Sequence, residues 1–146
     1  MLCYLAGAID HVTEDDAVGW RETAAHRLKL GGIGSFSPVH AFVLPPLPGV
    51  ELSEAVRAIN DRAIQESDVV LANLEGRSFG TPIECELAFN KRIPVYAFGI
   101  SDGSIYRHLF AGVGRDLSET LNLLLTEHQG VHRASAGTGA TMVNPS

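Results

Sequence analysis

The ten residues from Glu75 to Glu84 hold the side chains of this sequence that are best suited to chemistry. The segment follows an apolar run, contains two glycines and ends on a glutamate. Thr81 is placed to cap a helix and Pro82 suits the first helical position, so Glu84 falls on the first turn. A hydroxyl, a glycine and a helix N-terminus together favour the binding of an anion or a hydroxyl group. Taken alone, a first-turn glutamate more often complements the helix dipole, so a catalytic role for Glu84 needs support from other parts of the sequence.

The elements that would position this segment alternate along the chain. Apolar runs, helical spacing and breaks at Gly or Pro predict strands over 1–7, 33–37, 68–74 and 93–98. The same signals predict helices over 13–30, 52–66, 81–90, 104–110 and 117–127, with no further strand between residue 99 and the last helix. Thr13, with Asp16 three residues later, resembles a capping box at the first helix. The alternation indicates a single α/β domain with a doubly wound parallel sheet of four or five strands, whose carboxyl ends would bind the ligand.

Composition narrows the class of protein further. The chain has 146 residues, enough for one domain, which we place over 1–130, with a disordered tail over 131–146. With a net charge of −6, the chain lacks the excess of positive charge by which proteins bind a nucleic acid polymer. No apolar run is long enough to span a membrane, and the N-terminus lacks the basic start of a signal peptide, so we expect a cytoplasmic protein. The sequence has no dinucleotide or Walker motif and no metal-ligand spacing, so we expect no cofactor and no metal.

Three stretches of the sequence together resemble one family. They are Tyr4-Leu5-Ala6-Gly7, Ser67-Asp68-Val69-Val70 and the seven residues from Ser78 to Glu84. This combination is similar to the nucleoside 2-deoxyribosyltransferase superfamily, and the resemblance runs from residue 1 to about residue 98. The superfamily includes transferases that exchange the bases of deoxynucleosides and hydrolases that remove the base from nucleoside 5′-monophosphates, such as CMP and hydroxymethyl-CMP. The resemblance implies a flavodoxin-like fold.

The resemblance also implies a set of catalytic residues. Glu84 matches the nucleophile, and a carboxylate suits that role because it can capture an oxocarbenium-like sugar carbon as an ester. Tyr4 matches a tyrosine that hydrogen-bonds the nucleophile. The family's acid for the leaving base matches Asn60, and here Asp61 either replaces it or Asn60 contacts the base through its amide. Arg21, in the first helix, is a weaker candidate for a ligand contact.

The position six residues before the nucleophile separates the branches of the superfamily. Transferases carry an aspartate there, which accepts a bond from a free 5′-hydroxyl, whereas the monophosphate hydrolases carry a serine. Ser78 stands at this position, with Arg77 beside it, which favours a nucleotide. Asp10 follows the first strand where those hydrolases often carry a basic residue, which favours a nucleoside. The expected substrate-binding residues are Gly7, Asp10, Asn60, Arg77, Ser78, Gly80 and Thr81.

These features lead to three hypotheses for function. The first is an N-glycoside hydrolase that acts on a nucleoside 5′-monophosphate with a pyrimidine base. The second is a 2-deoxyribosyltransferase, in which a second base takes the place of water. The third is a nucleotide-binding module that has lost catalysis. The resemblance also implies a homodimer or a larger homo-oligomer, and we assign residues 101–106 as the segment that would reach a neighbouring subunit's site.

Overall fold

The chain folds into one parallel sheet covered by helices on both faces. The computed structural model describes residues 1–10, 12–38 and 49–129. Within these ranges the elements run in the order β1 (Leu2–Ala6), α1 (Glu14–Leu30), β2 (Gly34–Phe36), α2 (Gly49–Gln65), β3 (Val69–Asn73), α3 (Gly80–Asn90), β4 (Val95–Phe98), a 3₁₀ turn (Arg107–Leu109), β5 (Gly112–Val113) and α4 (117–129). The predicted tail over 131–146 lies outside the described residues.

The five strands pair in parallel in the order β2-β1-β3-β4-β5. This is the strand order of flavodoxin-like sheets, so the predicted fold class is confirmed. The expectation that no strand lies between residue 99 and the last helix was wrong. β5 pairs with β4 through only two positions, Tyr96 with Gly112 and Ala97 with Val113. A strand this short leaves no periodic signal in the sequence, and only pairing with β4 defines it.

Alternate residues of the central strands belong to two hydrophobic layers, one on each face of the sheet. On one face, Leu5 and Leu71 pack with Ala24 and Leu28 of α1 and with apolar residues of α4. On the other face, residues such as Val70 pack against α2 and α3. Because both faces are covered, the central strands are apolar at nearly every position, which explains why their sequences were easy to detect. Only the ends of the strands remain available for polar chemistry.

The helix starts agree with the sequence in one case and differ in another. Thr13 caps α1, since its hydroxyl accepts the Asp16 N–H at 3.1 Å, as the capping-box pattern predicts. In α3, by contrast, Thr81 is not the cap. The helix begins at Gly80, and the Ser78 hydroxyl accepts the Thr81 N–H at 3.2 Å. The turn therefore starts earlier than predicted, because Ser78 satisfies a free N–H group of the first helical turn.

The predicted helix over 104–110 is also wrong, because the structure forms only the 3₁₀ turn Arg107–Leu109 there. Two serines explain the difference. The Ser101 hydroxyl accepts the Gly103 N–H, and the Ser104 hydroxyl accepts the Tyr106 N–H, each at 3.2 Å. Such local bonds give the backbone an alternative to the helix. Across the described ranges, no helix combines the length and the apolar character needed to cross a membrane.

Gly99 sits where the chain leaves β4, and only glycine fits that position. Its φ is +83°, and a Cβ there would lie 2.7 Å from the Leu74 carbonyl carbon and closer still to the Glu75 nitrogen. We expect Gly99→Ala to lower the free energy of unfolding by at least about 2 kcal/mol, because strain and overlap add. Gly19, inside α1 with open space around it, is the control, and Gly19→Ala should stabilise the fold by about 0.5–1 kcal/mol. Urea denaturation of both variants measures the effect, and equal stabilities would contradict this account.

Candidate active site

A cavity of about 360 Å³ opens between α2 and α3 at the carboxyl end of the sheet. Its apolar wall comes from Leu52, Val56 and Ile83. Its polar side chains are Asp10, Ser53, Arg57, Asn60, Asp61 and Glu84, and Gly80 also lines it. Five of the residues expected from the sequence therefore line one cavity, which are Asp10, Asn60, Asp61, Gly80 and Glu84. The parallel sheet explains this convergence, because the loops after β1 and β3 meet at the same edge.

Glu84 is held in an environment that disfavours its charge. Burial raises the pKa of this carboxyl to about 7, and the nearby Asp61 acts in the same direction. The Tyr4 hydroxyl and the Arg21 guanidinium lower the pKa and so offset part of the rise. The carboxyl is therefore about half ionised near neutral pH. A group poised in this way inside a cleft is typical of catalytic acids, bases and nucleophiles.

Tyr4 is fully buried beside this carboxyl and stays protonated. Burial raises the pKa of its phenol, and the negative charge of Glu84 raises it further. The Tyr4 hydroxyl and Glu84 Oε2 are both buried without a hydrogen-bond partner of good geometry. The two groups nevertheless interact, since each shifts the pKa of the other. Unpaired buried polar atoms are costly, so these two mark a place where a ligand or a small rearrangement would complete the pairing.

The α2 side of the cavity carries an ion pair that the sequence analysis did not anticipate. Arg57 Nε donates to both Asp61 oxygens, at 2.9 Å and 2.8 Å. Asp61 therefore accepts hydrogen bonds in this arrangement, whereas Asn60 and the remaining N–H groups of Arg57 can donate. Because the pair joins residues four apart on a helix, the sequence did contain the signal, although many such pairs have no function.

A second cavity, of about 450 Å³, adjoins the first and shares Asp10 with it. Arg77, Ser78 and Thr81 line it, together with the exposed ring of Phe79. The Ser78 side chain already makes contacts within the protein there, because its oxygen accepts the Thr81 N–H and lies 3.2 Å from the Thr81 hydroxyl. The structure thus places the residues expected around the 5′ group in a cavity of their own, at the N-terminus of α3.

Gly7 and residues 101–106 line neither cavity. A Cβ on Gly7 would lie 2.6 Å from the Trp20 ring, so the absence of a side chain permits close packing of α1 on the end of β1. Ile105 and Tyr106 are exposed, which suits a contact surface but does not identify one. Assembly into a homo-oligomer stays a prediction. Within the described residues, no group of three or more His, Cys, Asp or Glu side chains is placed to hold a metal ion.

Comparison with known proteins extends the result on the fold. No family model matches the sequence, and no curated protein matches it. Among solved structures, the 2-deoxyribosyltransferase of the psychrotolerant bacterium Bacillus psychrosaccharolyticus superposes with a TM-score of 0.63 at 19% identity, over 84% of this chain and 91% of the other. The CMP N-glycosidase BcmB of Clostridium botulinum gives 0.56 at 15%, over 85% and 98%. A conserved protein of Enterococcus faecalis V583 gives 0.55 at 17%, over 84% and 86%.

These similarities show that the chain has the fold of the two enzymes over nearly its whole described length. The flavodoxin-like fold that the sequence resemblance implied is therefore confirmed. Identities of 15–19% do not carry individual residues from one protein to another. Which residues act, and on what substrate, depends on the site that this chain itself carries.

The buried Glu84 carboxyl predicts a pH dependence of stability. Its pKa is about 7 in the folded state against 4.5 as the ordinary value, so the unfolded chain loses the proton first as pH rises. Stability should fall by about 3 kcal/mol between pH 4.5 and 8 through this group. We expect Glu84→Gln to remove that loss, and the exposed neighbour Glu86→Gln to keep it. Urea titrations at several pH values measure it, and parallel curves for wild type and Glu84→Gln would contradict the burial argument.

Proposed function

We propose that this protein cleaves the N-glycosidic bond of a nucleoside 5′-monophosphate with a pyrimidine base, through a covalent glycosyl ester on Glu84. One observation carries the proposal. A buried carboxyl with a pKa near 7 lines a cavity at the carboxyl end of the sheet, beside the unpaired hydroxyl of Tyr4. The shared fold with a 2-deoxyribosyltransferase and a CMP N-glycosidase supports the same class of reaction.

The proposed reaction has two displacements at the sugar carbon C1′. The ionised Glu84 oxygen attacks C1′, and the bond between C1′ and the base nitrogen breaks with its electron pair leaving on the base. Water then attacks C1′ of the ester, gives a proton to the departing base or to solvent, and releases the Glu84 carboxylate and the free sugar phosphate. The Tyr4 phenol is suited to orient the carboxylate by donating a hydrogen bond, because it stays protonated throughout.

The cavity between α2 and α3 would hold the leaving base. Leu52, Val56 and Ile83 offer apolar contacts to its faces, and polar groups lie at one end of the same cavity. Asp61 already accepts both bonds from Arg57, so it is better suited to hold Arg57 in place than to supply a proton. We therefore assign the donors to the departing base to the Asn60 amide and the free N–H groups of Arg57. This assignment favours Asn60 over Asp61 as the residue that contacts the base.

The second cavity would hold the 5′ end of the substrate. The N-terminus of α3 presents free backbone N–H groups and a favourable dipole for an anion, and Arg77 adds a positive charge. The exposed carboxylate of Asp10 lies between the two cavities and opposes a phosphate. We expect the phosphate to be favoured, because Ser78, Arg77 and the helix end act together against one solvated carboxylate.

A second candidate is transfer of the sugar to another base. The observation that favours it is the exposed carboxylate of Asp10, which lines both cavities, opposes a phosphate and so favours a nucleoside substrate. Both reactions form the same ester on Glu84, and they differ in whether water or a base resolves it. An assay with and without a free acceptor base separates them, since only a transferase forms a new nucleoside.

Glu84→Gln tests the core of the proposal. On a panel of pyrimidine and purine nucleosides and their 5′-monophosphates, we expect kcat of the best substrate to fall at least about a thousandfold, because the amide cannot attack C1′. Trapping of a sugar adduct on a peptide that contains residue 84 should succeed in wild type only. Glu86→Gln is the matched control and should keep full activity. A Gln variant that retains more than about a tenth of the rate would refute the nucleophile, and a wild type inactive on the whole panel but able to bind it would indicate a binding module.

Ser78→Asp tests the assignment of the 5′ group. Aspartate also caps helices well, so the α3 N-terminus should remain intact and the free energy of unfolding should change little. The added negative charge should raise KM for the monophosphate about tenfold or more and spare the matching nucleoside. Steady-state kinetics on the nucleoside and nucleotide pair measure the change. Faster cleavage of the nucleoside than of the nucleotide by wild type would place the protein in the nucleoside-processing class.

A further inference from the structure

One face of α2 lines the cavity that opens between α2 and α3. Apart from Gly49 at the start of the helix, its lining residues come as adjacent pairs four positions apart, which are Leu52 and Ser53, Val56 and Arg57, and Asn60 and Asp61. Positions four apart lie one above the other on an α-helix, so these pairs form a single face. A planar base inside the cavity would therefore meet apolar side chains together with the polar groups of Arg57, Asn60 and Asp61.

The carboxyl groups along this cavity are poorly suited to protonate a departing base. Among the described residues that line it, three carry a carboxyl group, which are Asp10, Asp61 and Glu84. Glu84 is the proposed nucleophile and has to be ionised when it attacks C1′. Asp61 forms an ion pair with Arg57, so this carboxylate has no proton to give. Asp10 is exposed and also lines the second cavity, which we assign to the 5′ end of the substrate. The electrons of the broken bond therefore need another source of stabilisation.

Arg57 is held in a way that leaves most of its donors free. Its Nε donates to the two Asp61 oxygens at 2.9 Å and 2.8 Å, and these are its only hydrogen bonds within the described part of the chain. A guanidinium has five N–H groups in one plane, so the four on the Nη atoms remain available to a ligand. Asp61 thus fixes one edge of the plane, and the other edge is free to bind two neighbouring acceptors.

We propose that Arg57 stabilises the negative charge that develops on the departing base, with Asp61 as the positioning residue that fixes its guanidinium, so that the base leaves without a proton from the protein. This inference rests on the proposed function and adds the fate of the electron pair. As the bond between C1′ and the base nitrogen breaks, the pair passes into the pyrimidine ring and onto the carbonyl oxygen beside that nitrogen. The Nη groups of Arg57 donate to this oxygen, and the proton arrives later from the water that hydrolyses the ester on Glu84. Donors fixed in advance where charge develops make large contributions to catalysis.

The same argument narrows the substrate to nucleotides of 2-oxopyrimidines. These bases carry a carbonyl oxygen next to the glycosidic nitrogen, and that oxygen can hold the charge of the broken bond. A purine has no exocyclic oxygen at this place, and its departure depends more strongly on a proton at the ring nitrogen N7. A cavity whose described carboxyl groups are committed elsewhere therefore suits the pyrimidine better than the purine.

The Arg57–Asp61 pair carries no net charge, so it acts through directed N–H groups and not through a long-range field. The Arg57 side chain is 56% exposed, and solvent screens the field of such a pair at a distance. A hydrogen bond requires only contact, and a base inside the cavity displaces water from the donors that it touches. The effect of Arg57 is therefore greatest on an atom that it contacts, which is where we place the developing charge.

The 5′-monophosphates of uracil and 5-fluorouracil nucleosides form a matched pair of substrates for the test. Fluorine barely changes the size of the base, but it stabilises the anion, so the fluorinated base leaves more readily without help. In Arg57→Met we expect kcat/KM to fall about a hundredfold for the uracil substrate and only about tenfold for the 5-fluorouracil substrate. This constant reports the departure of the base whether water or a second base resolves the ester. Equal losses for the two substrates would overturn the proposal.

Arg62 and Glu66 provide the matched control. They form the same kind of ion pair on the same helix, with Arg62 Nε 3.0 Å from Glu66 Oε1, but neither residue lines the cavity. Arg62→Met should leave kcat/KM for both substrates unchanged. If Arg57→Met does not fold, Arg57→Lys takes its place, because it keeps a charged donor beside Asp61 but has no second edge to present to the base. It too should lower kcat/KM more for the uracil substrate, and equal losses would again overturn the proposal.

A double-mutant cycle separates positioning by Asp61 from acid catalysis by the same residue. If Asp61 acts through Arg57, Asp61→Asn should lower kcat/KM about tenfold in the wild-type background and have almost no further effect in Arg57→Met. If Asp61 gave a proton to the base, Asp61→Asn would cost at least as much in the background that lacks Arg57. That second result would overturn the proposal.

Binding of free 5-fluorouracil separates this proposal from the proposed function. Calorimetry is done in Glu84→Gln, whose neutral amide resembles the ester stage, below and above the pH at which the base ionises. Adding Arg57→Met should weaken binding of the ionised base about tenfold more than binding of the neutral base, because hydrogen bonds to charged groups are stronger. This difference in a protein that cleaves no nucleotide would contradict the proposed function and support Arg57 as the ligand of the anion. Equal weakening in a protein that does cleave would overturn the role of Arg57 and leave that of Glu84 intact.

Discussion

Placing an ionisable carboxyl at the edge of a dry parallel sheet is the constraint on which the rest of this site depends. The sheet is apolar on both faces, so a charge beside it loses much of its hydration, and burial accordingly raises the pKa of Glu84 to about 7. The surroundings offset only part of this cost, through Tyr4 and Arg21. The result is a carboxyl that can gain or lose its proton near neutral pH.

The packing around β1 serves this constraint. Gly7 lacks a side chain, so Trp20 can approach the strand end, and Arg21 can reach the Leu5 and Gly7 carbonyls. Those carbonyls would otherwise be buried acceptors left by the strand where it ends. One residue thus satisfies these backbone acceptors and also places a buried positive charge at the end of β1. A glycine that a sequence pattern associates with the ligand acts here mainly by allowing a helix to pack closely.

The groups that would select the substrate overlap in part with those that set the charge of Glu84, because Arg57 and Asp61 line the cavity and also act on the pKa of this carboxyl. The cavity between α2 and α3 combines apolar side chains with the Arg57–Asp61 pair. The second cavity combines a helix N-terminus with Arg77 and Ser78. These surfaces are formed by side chains of α2, by the N-terminal part of α3 and by the loop that precedes it, and none of them belongs to a strand of the sheet. A single fold can therefore serve different reactions, since the two solved structures that share it are a 2-deoxyribosyltransferase and a CMP N-glycosidase.

Local patterns in the sequence were sufficient for much of this protein. The apolar runs and helix signals predicted four strands in nearly their observed places, the Thr13 cap and a doubly wound parallel α/β sheet, whereas the family resemblance implied that the fold is flavodoxin-like. They also predicted Glu84 near the start of a helix at the carboxyl end of the sheet, but the first-turn position was wrong, because α3 begins at Gly80 and Glu84 lies just beyond its first turn. Each of these follows from the spacing of neighbouring residues, because a buried parallel strand and a capped helix leave a signature within their own length.

Other features were decided only by the tertiary structure. β5 exists because β4 offers it a pairing edge. The 3₁₀ turn at Arg107–Leu109, by contrast, has a local cause, because Ser101 and Ser104 accept N–H groups two residues away. Nothing local distinguishes Arg21 from a solvent-exposed helix arginine. Its burial depends on contacts with the end of β1, such as the bond to the Gly7 carbonyl fourteen residues away, so its environment arises between elements distant in the chain. Sequence spacing cannot report the desolvation of a charge, because desolvation depends on every atom packed around it.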